Sequence, residues 1–351
     1  MNFYQGQHEF YAGVDLHSNC LHVCVIDSEG KKRLHRNFRA AKLDQLINRL
    51  KPFQGSDLVL GCESTFNWYW LSDWCEEQQI PFLLGHAQYM KSIHGGKVKN
   101  DAIDSEKIAK LIRGGNFPTA FVYPKQWRAT RDLMRRRTYF MRKRAELLGH
   151  IQLVYMQHNV PKPLANLGYK ANRDAVDHCF EDPSTMLSVN VDVELIDKLD
   201  EQLKQLQTYL LRTAKGHDAN TLFRLRTIPG IGEVLALTIL YEIGSIERFH
   251  SVGDFLSYAR LVRGSHTSNG KSCGKGNRKI GNAYLRWAFA EAASLCKREL
   301  SAAKEYVERL ERTHGKPRAM TMLSTKLGRA VYYMLKREEV FQPKGLALRA
   351  A

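Results

Sequence analysis

From Thr130 to His158 the chain has no proline, and apolar pairs return every seven residues: Leu133/Met134, Phe140/Met141, Leu147/Leu148 and Val154/Tyr155. That period demands a long helix with a coiled-coil-like seam. "PKP" at 161–163 ends it, and "VELIDKLDEQLKQLQTYLLRTAK" then repeats Leu199, Leu203, Leu206 and Leu210. The simplest arrangement is an antiparallel helical pair, or a dimer seam, lying between two domains.

What precedes this helical stretch reads differently. "EFYAGVDL", "LHVCVID" and "KKRLHRNFRA" have strand character, with "DSEG" as a turn between the last two. "KLDQLINRLK" has helical spacing, and "DLVLGCE" is a buried-strand run ending at Glu63. "FNWYWLSDWCEEQ" reads as a helix, "IPFLLGH" as a strand, and "KNDAIDSEKIAKLIRGG" as a helix. Three strands followed by alternating helices and strands predict a mixed α/β sheet with helices on its faces. The expected organisation is residues 1–120 as this α/β domain, 125–215 as the helical linker, 216–340 as a mainly helical domain, and 341–351 as a frayed tail.

Charge narrows the partner. The chain carries 53 Lys and Arg against 36 Asp and Glu, a surplus of +17 over 351 residues. Nucleic acid is the default partner for such a surplus. No long apolar run or signal-like start points to a membrane. Cys20, Cys24, Cys62, Cys75, Cys179, Cys273 and Cys296 are scattered. Their spacing argues against zinc and against a disulfide framework, and it fits the reducing cytoplasm. The N-terminal half of the long helix concentrates cations: Arg128, Arg131, Arg135 and Arg136 begin it, and Arg142, Lys143 and Arg144 follow. A solvated helix face would explain them; with this total charge, contact with a nucleic-acid backbone is the favoured reading.

Against that background the acids stand out. Asp101 and Asp104 are three apart and share a helix face. Asn100 or Asp101 could serve as the N-cap, with early acids favoured by the helix dipole. However, Asp15 ends one strand and Glu63 another. If both strands lie centrally in one sheet, their carboxylates emerge at the same edge, and the later helix can add Asp101 and Asp104. Four oxygen ligands suit Mg²⁺ or Mn²⁺, and such ions act on both oxygens of a phosphodiester exchange. Lys99 and Asn100, at the mouth of that helix, are candidates for touching the nucleic acid.

Taken in order, "GVDLHS", "CEST" and "KNDAIDSEKIA" resemble the RNase H-like (RuvC-like) N-terminal domain of the DEDD insertion-sequence transposases, and more broadly the Holliday-junction resolvases. Actin-like and sugar kinases also open with Gly-x-Asp, but they need Gly-rich phosphate loops on later strands that are missing here. In the C-terminal part, "IPGIG" places Gly230 and Gly232 between helical stretches. It is either a phosphate-holding hairpin or a plain tight turn. Between Asp254 and Glu291 there is no acid, while Lys271, Lys275, Arg278, Lys279 and Arg286 accumulate among glycines. They could cradle phosphate or merely add affinity. "SNGKSCGKGNRKIGNAYLRWAFAEAA", which includes Asn282, is similar to the C-terminal domain of the same transposases.

That resemblance spans nearly the whole chain. It implies a serine nucleophile that links covalently to DNA, which by motif position is Ser268, with Ser265 and Ser272 nearby. Asn269 follows it, where other branches of the family place Gly directly. The resemblance further implies a homodimer or homotetramer, a structured guide RNA encoded beside the gene, and a bacterial cytoplasmic protein associated with the nucleoid when active. A structure-selective metal nuclease would need the carboxylates alone. A non-catalytic nucleic-acid-binding protein would need neither them nor the serine.

Overall fold

The computed structural model describes residues 2–55, 57–93, 100–161, 166–173, 176, 179–262, 264–268, 271–275 and 280–343; for 91–93, 265–268 and 271–275 only the backbone is described. It divides into two compact units, residues 1–125 and 126–351.

The first unit is a five-stranded mixed sheet. Strands β1 (Phe10–Leu16), β2 (Cys20–Asp27) and β3 (Lys32–Arg39) form an antiparallel meander. Helix α1 (Leu43–Gln54) then crosses to β4 (Leu58–Glu63), and α2 (Trp68–Glu77) crosses to β5 (Phe82–Gly85). Short α3 (Ala87–Ile93) and α4 (Asp101–Arg113) follow. The strand order is β3-β2-β1-β4-β5, with β4 parallel to both β1 and β5. This is the mixed sheet expected from the strand and helix periodicities, and it is consistent with the RuvC-like fold that the resemblance implies.

Because side chains alternate along a strand, β1 feeds two cores. Ala12, Val14 and Leu16 pack with Leu46, Leu50 and Leu71 of α1 and α2 on one face. Tyr11 packs with Ile108, Ala109 and Ile112 of α4 on the other. Gly13 lies on the α4 face and has no side chain to hold the helix away. A Cβ there would sit 2.1 Å from the Ser105 carbonyl oxygen and 2.4 Å from the Ala109 nitrogen. Helix backbone therefore rests directly on β1. Polar contacts fasten its first turn to the neighbouring strands. His35 Nε2–H donates to the Ala102 carbonyl at 3.0 Å, Ser105 Oγ donates to the same carbonyl at 3.0 Å, and His22 Nδ1 lies 3.0 Å from Ser105 Oγ.

The second unit is helical. Helix α5 (Lys125–Gln157) runs 33 residues and α6 (Pro183–Arg226) runs 44. Their partners fall in number as α5 rises: Arg137 meets Gln207, Arg144 meets Asp200 and His150 meets Asp192. The two helices are thus an antiparallel pair within one chain. The buried seam of α6 is Val189, Ile196, Leu203 and Leu210, a strict seven-residue repeat. It shares Leu203 and Leu210 with the leucine series in the sequence but replaces Leu199 and Leu206, which are only half-buried. On α5, Met134, Ile151, Val154 and Tyr155 are buried, whereas Met141 is exposed. Helix α6 is interrupted at Asp218 (φ −160°, ψ 82°), whose carboxylate accepts the Thr221 N–H at 2.8 Å and so caps a new helical segment.

Helices α7 (Glu233–Ile243), α8 (Val252–Tyr258), α9 (Ala283–Glu299), α10 (Ser301–His314) and α11 (Lys316–Lys336) enclose the larger apolar core. Between α8 and α9 lie two paired antiparallel strands, β6 (Ser265–Ser268) and β7 (Lys271–Lys275). Glu242 on α7 is 1% exposed, yet its carboxylate accepts from Arg131 at 3.1 Å, Arg135 at 2.6 Å and Asn282 at 2.7 Å. Burial pushes this carboxyl up. The hydrogen bond from Arg135, the two guanidinium charges and the Asn282 amide outweigh that, and hold it below its ordinary value.

Two stability predictions follow from these packings. Gly13→Ala should cost about 1–3 kcal/mol in urea denaturation, as overpacking does. Gly55→Ala, where an added Cβ meets nothing within 4 Å, should leave the unfolding curve in place. Glu242→Gln should cost about 3–5 kcal/mol by leaving buried guanidiniums uncompensated. Since the folded-state pKa of Glu242 is depressed, its stabilisation is present above the ordinary value of 4.5 and is lost as pH falls through the folded value. Calorimetry at descending pH below 4.5 should show that slope in the wild type, and a reduced slope in the variant.

Candidate metal centre and nucleic-acid surface

The close seat of α4 on β1 decides where its acids stand. Asn100 is the N-cap: its Oδ1 accepts the Ile103 N–H at 2.8 Å. Asp101 and Asp104 are therefore released from capping and occupy the first turn, where the positive end of the helix favours carboxylates.

Asp15 comes next on β1 after Val14 and shares the α4 face with Tyr11 and Gly13. Val14 pairs with Cys62 in parallel register, so Glu63 is the next residue on β4 beside Asp15. Val59 packs on the α4 side, so alternation puts Glu63 on that same face. Helix and sheet edge thus bring Asp15, Asp101 and Asp104 together, with the backbone of Glu63 alongside. Burial pushes the Asp15 carboxyl above its ordinary range. His17 opposes that shift, while the charges of Asp101 and Asp104 add to it. Asp104 is also 3.4 Å from the Lys107 ammonium.

His17, on the turn after β1, was not among the residues singled out in the sequence. Its Nε2 lies 3.3 Å from Asp15 Oδ2 and 3.3 Å from Asp101 Oδ1. Ligand atoms of Asp15, His17 and Asp101 all fall within 4.8 Å of one another. Its position in "GVDLHS", two residues past the strand-end aspartate, was the only signal available. Carboxylates converging on a half-buried aspartate are a poor arrangement for a site without a cation and a good one for a hard divalent ion. The donor set therefore fits such an ion.

The expected serine lies in the second unit. Ser268 is the last residue of β6 and pairs with Lys271; Thr267 pairs with Ser272, and Ser265 with Lys275. All three serines and both lysines are thus on one hairpin, of which the backbone is described. Lys99, Arg278 and Lys279 lie outside the described residues.

Among the basic and glycine residues expected to meet nucleic acid, several have partners within the protein. Arg128 and Arg131 are buried, at 5% and 9% exposure. Arg131 and Arg135 are committed to Glu242, a carboxylate that could not be buried without them. Asn282 both bonds Glu242 and caps α9 by accepting the Tyr284 and Leu285 N–H groups. Gly230 has φ +85°, and a Cβ there would sit 2.4 Å from the Cys296 nitrogen of α9. Its N–H donates to Glu299 at 2.7 Å, so "IPGIG" packs as a tight turn against α9 there. Gly232, the exposed N-cap of α7, has no such contact. Asn100 spends its side-chain oxygen on the α4 cap. Arg136, Lys143 and Arg286 are exposed. The guanidinium of Arg136 lies 4.6 Å from the ring centres of both Tyr139 and Phe140, and Lys143 bonds Glu146 at 2.7 Å. No helix among the described residues is long and apolar enough to cross a membrane.

Comparison with known proteins agrees with this architecture. A transposase model of the IS110 DEDD type matches residues 12–157, and the model "Transposase IS116/IS110/IS902 family" matches residues 223–308. The chain is 24% identical to the transposase for insertion sequence element IS1111A of Coxiella burnetii, covering 94% of this chain and 90% of that protein. It is 23% identical to the transposase for element IS1328 of Yersinia enterocolitica, over 87% of this chain and 86% of the other. A probable family 20 transposase of Pseudomonas aeruginosa is 21% identical over 94% of this chain and 98% of its own length. With both family models in order on the chain, the carboxylates at the edge of a RuvC-like sheet and relatives matched over most of their length, the protein belongs to the IS110 family of DEDD transposases, the enzymes that cut and rejoin DNA for insertion sequences.

Proposed function

We propose that Asp15, Glu63, Asp101 and Asp104 hold Mg²⁺ or Mn²⁺ and that Ser268 is the nucleophile of strand transfer. The observation that carries the first half is the cap at Asn100. It leaves Asp101 and Asp104 free of the capping role in the first turn of α4, over a half-buried Asp15 that already feels both charges. When bound, a divalent ion offsets the negative charge that develops on the attacking and leaving oxygens of a phosphodiester.

The residues of the chain divide the remaining work. The Ser268 oxygen attacks phosphorus, and a phosphoserine bond forms as the bond to the leaving deoxyribose oxygen breaks. The serine proton is passed to solvent and the leaving oxygen takes one up, so the DNA ends as a free hydroxyl and a protein-linked phosphate. Attack by a new hydroxyl on that phosphate rejoins DNA and returns the serine. No hydrolysis intervenes, so phosphodiester energy is conserved. Lys271 and Lys275, on the same hairpin as Ser268, offer charge to the scissile phosphate's neighbours.

DNA is the substrate, and the +17 surplus leaves room for a second polyanion. Resemblance to the family suggests that it is a structured guide RNA encoded by the element, held with the DNA by Arg136, Lys143, Arg286, Lys99, Arg278 and Lys279. Action as a homodimer or homotetramer, in the bacterial cytoplasm and at the nucleoid, belongs to the same proposal. Residues 1–120, 125–215 and 216–340 would supply the carboxylates, the helical pair and the serine hairpin.

Ser268→Ala should abolish a denaturation-resistant protein–DNA adduct formed with the flanking DNA and RNA of the element, while Ser265→Ala and Ser272→Ala retain it. Mg²⁺-dependent cuts that persist in Ser268→Ala would instead indicate a metal nuclease using the carboxylates alone. Asp104→Asn should lower strand cleavage by roughly a hundredfold or more with DNA affinity unchanged in a gel-shift titration. Chelation of the wild type should do the same, and added Mg²⁺ should reverse it. Full activity of Asp104→Asn would remove this residue from the metal set.

A further inference from the structure

We infer that His17 is itself a ligand of the metal centre, making the site a mixed carboxylate–imidazole one that favours Mn²⁺ over Mg²⁺ more than four carboxylates would. The inference rests on the reading of Asp15 and Asp101 as ligands, and adds a residue that reading does not include.

Three observations support it. First, His17 Nε2 is equidistant, at 3.3 Å, from one oxygen of Asp15 and one of Asp101. Neighbouring ligands on an octahedral ion, each about 2.1 Å from it, are about 3 Å apart. A nitrogen meeting two candidate ligand oxygens at that separation already has the spacing of a ligand set. Second, among the described residues this trio is where three ligating groups converge within 4.8 Å.

Third, the backbone of His17 is held from both sides. Its N–H donates to the Cys20 carbonyl at 2.9 Å, closing the turn between β1 and β2. Its carbonyl accepts the Asn67 amide at 2.9 Å, and Asn67 also accepts the Thr65 hydroxyl at 2.8 Å. Thr65 and Asn67 belong to the segment that leaves β4 just after Glu63. The same contacts therefore tie the Glu63 strand end to the His17 turn. An imidazole needed only as a loose counter-charge would not require a backbone clamped to the strand end that carries another ligand.

The chemistry sets the preference. Carboxylate oxygens suit Mg²⁺ and Mn²⁺ alike, whereas imidazole nitrogen adds affinity for transition metals and little for Mg²⁺. Replacing one oxygen or water by imidazole should widen the gap in favour of Mn²⁺.

The test is electron spin-echo spectroscopy of Mn²⁺ bound to the full-length protein, where a directly bound imidazole nitrogen gives ¹⁴N modulation. Modulation is expected in the wild type and should be lost in His17→Ala. Mn²⁺ affinity, titrated by the free-ion signal, should then fall roughly tenfold, with Mg²⁺ affinity changed much less. Labelling the wild type with ¹⁵N-histidine should convert the modulation to the ¹⁵N pattern, which requires no variant to fold. Bound Mn²⁺ without nitrogen modulation would overturn the role of His17 and leave the carboxylate site standing. Tighter Mn²⁺ binding in His17→Ala would overturn it too, by making His17 a competing cation. No bound Mn²⁺ in the wild type would overturn the carboxylate site and this inference together.

Discussion

The direct contact of α4 with β1 at Gly13 governs the first unit. With Ser105 and Ala109 backbone atoms occupying the space of a side chain, helix and strand approach as closely as backbone allows. That approach brings the first turn of α4 over the end of β1, where Asp15 stands. Everything else there supports the placement. Ile108 and Ile112 close the apolar core beneath the helix, His35 and Ser105 fix its first turn, and Asn100 caps it. Like charges are thus forced together by packing. Burial first, and then the charges of Asp101 and Asp104, push the Asp15 carboxyl up, a cost that the proposed cation would offset.

The second unit solves an opposite problem. Glu242 lies deep among helices, and a lone buried carboxylate there would be prohibitive. Arg131 and Arg135 from α5 and Asn282 from the start of α9 converge on it, so one side chain joins three helices. The arrangement makes α5 part of the helical core at its N-terminal end and a partner of α6 further along. There Arg144 and Arg173 both reach Asp200, and an ionic cluster replaces part of the apolar seam.

Much of this was legible in the sequence, for definite reasons. Strand alternation and short apolar runs marked β1, β2, β4 and β5, because a sheet covered on both faces leaves few polar positions inside. The spacing of Asp101 and Asp104 identified a shared helix face. Other features were not legible. An arginine run has the same composition whether it faces phosphate or a buried acid 107 to 111 residues away, and Arg131 and Arg135 proved to do the latter. The accumulation of cations among glycines after Asp254 gave no sign of the cross-strand pairing that makes β6 and β7 there. Gly230 looked available to an anion because nothing local shows that α9 returns to cover it and Glu299 to take its N–H. His17 escaped notice because its relation to Asp101 exists only once α4 has docked.

The central claim is that packing of α4 on β1 builds a divalent-ion site. Crystals of the full-length protein grown with Mn²⁺, and an anomalous difference map at the manganese edge, test it most directly. The account predicts a peak at the end of β1 bonded to Asp15 and to carboxylate from the first turn of α4. A map with no manganese there, or with manganese only at other carboxylates, would contradict it.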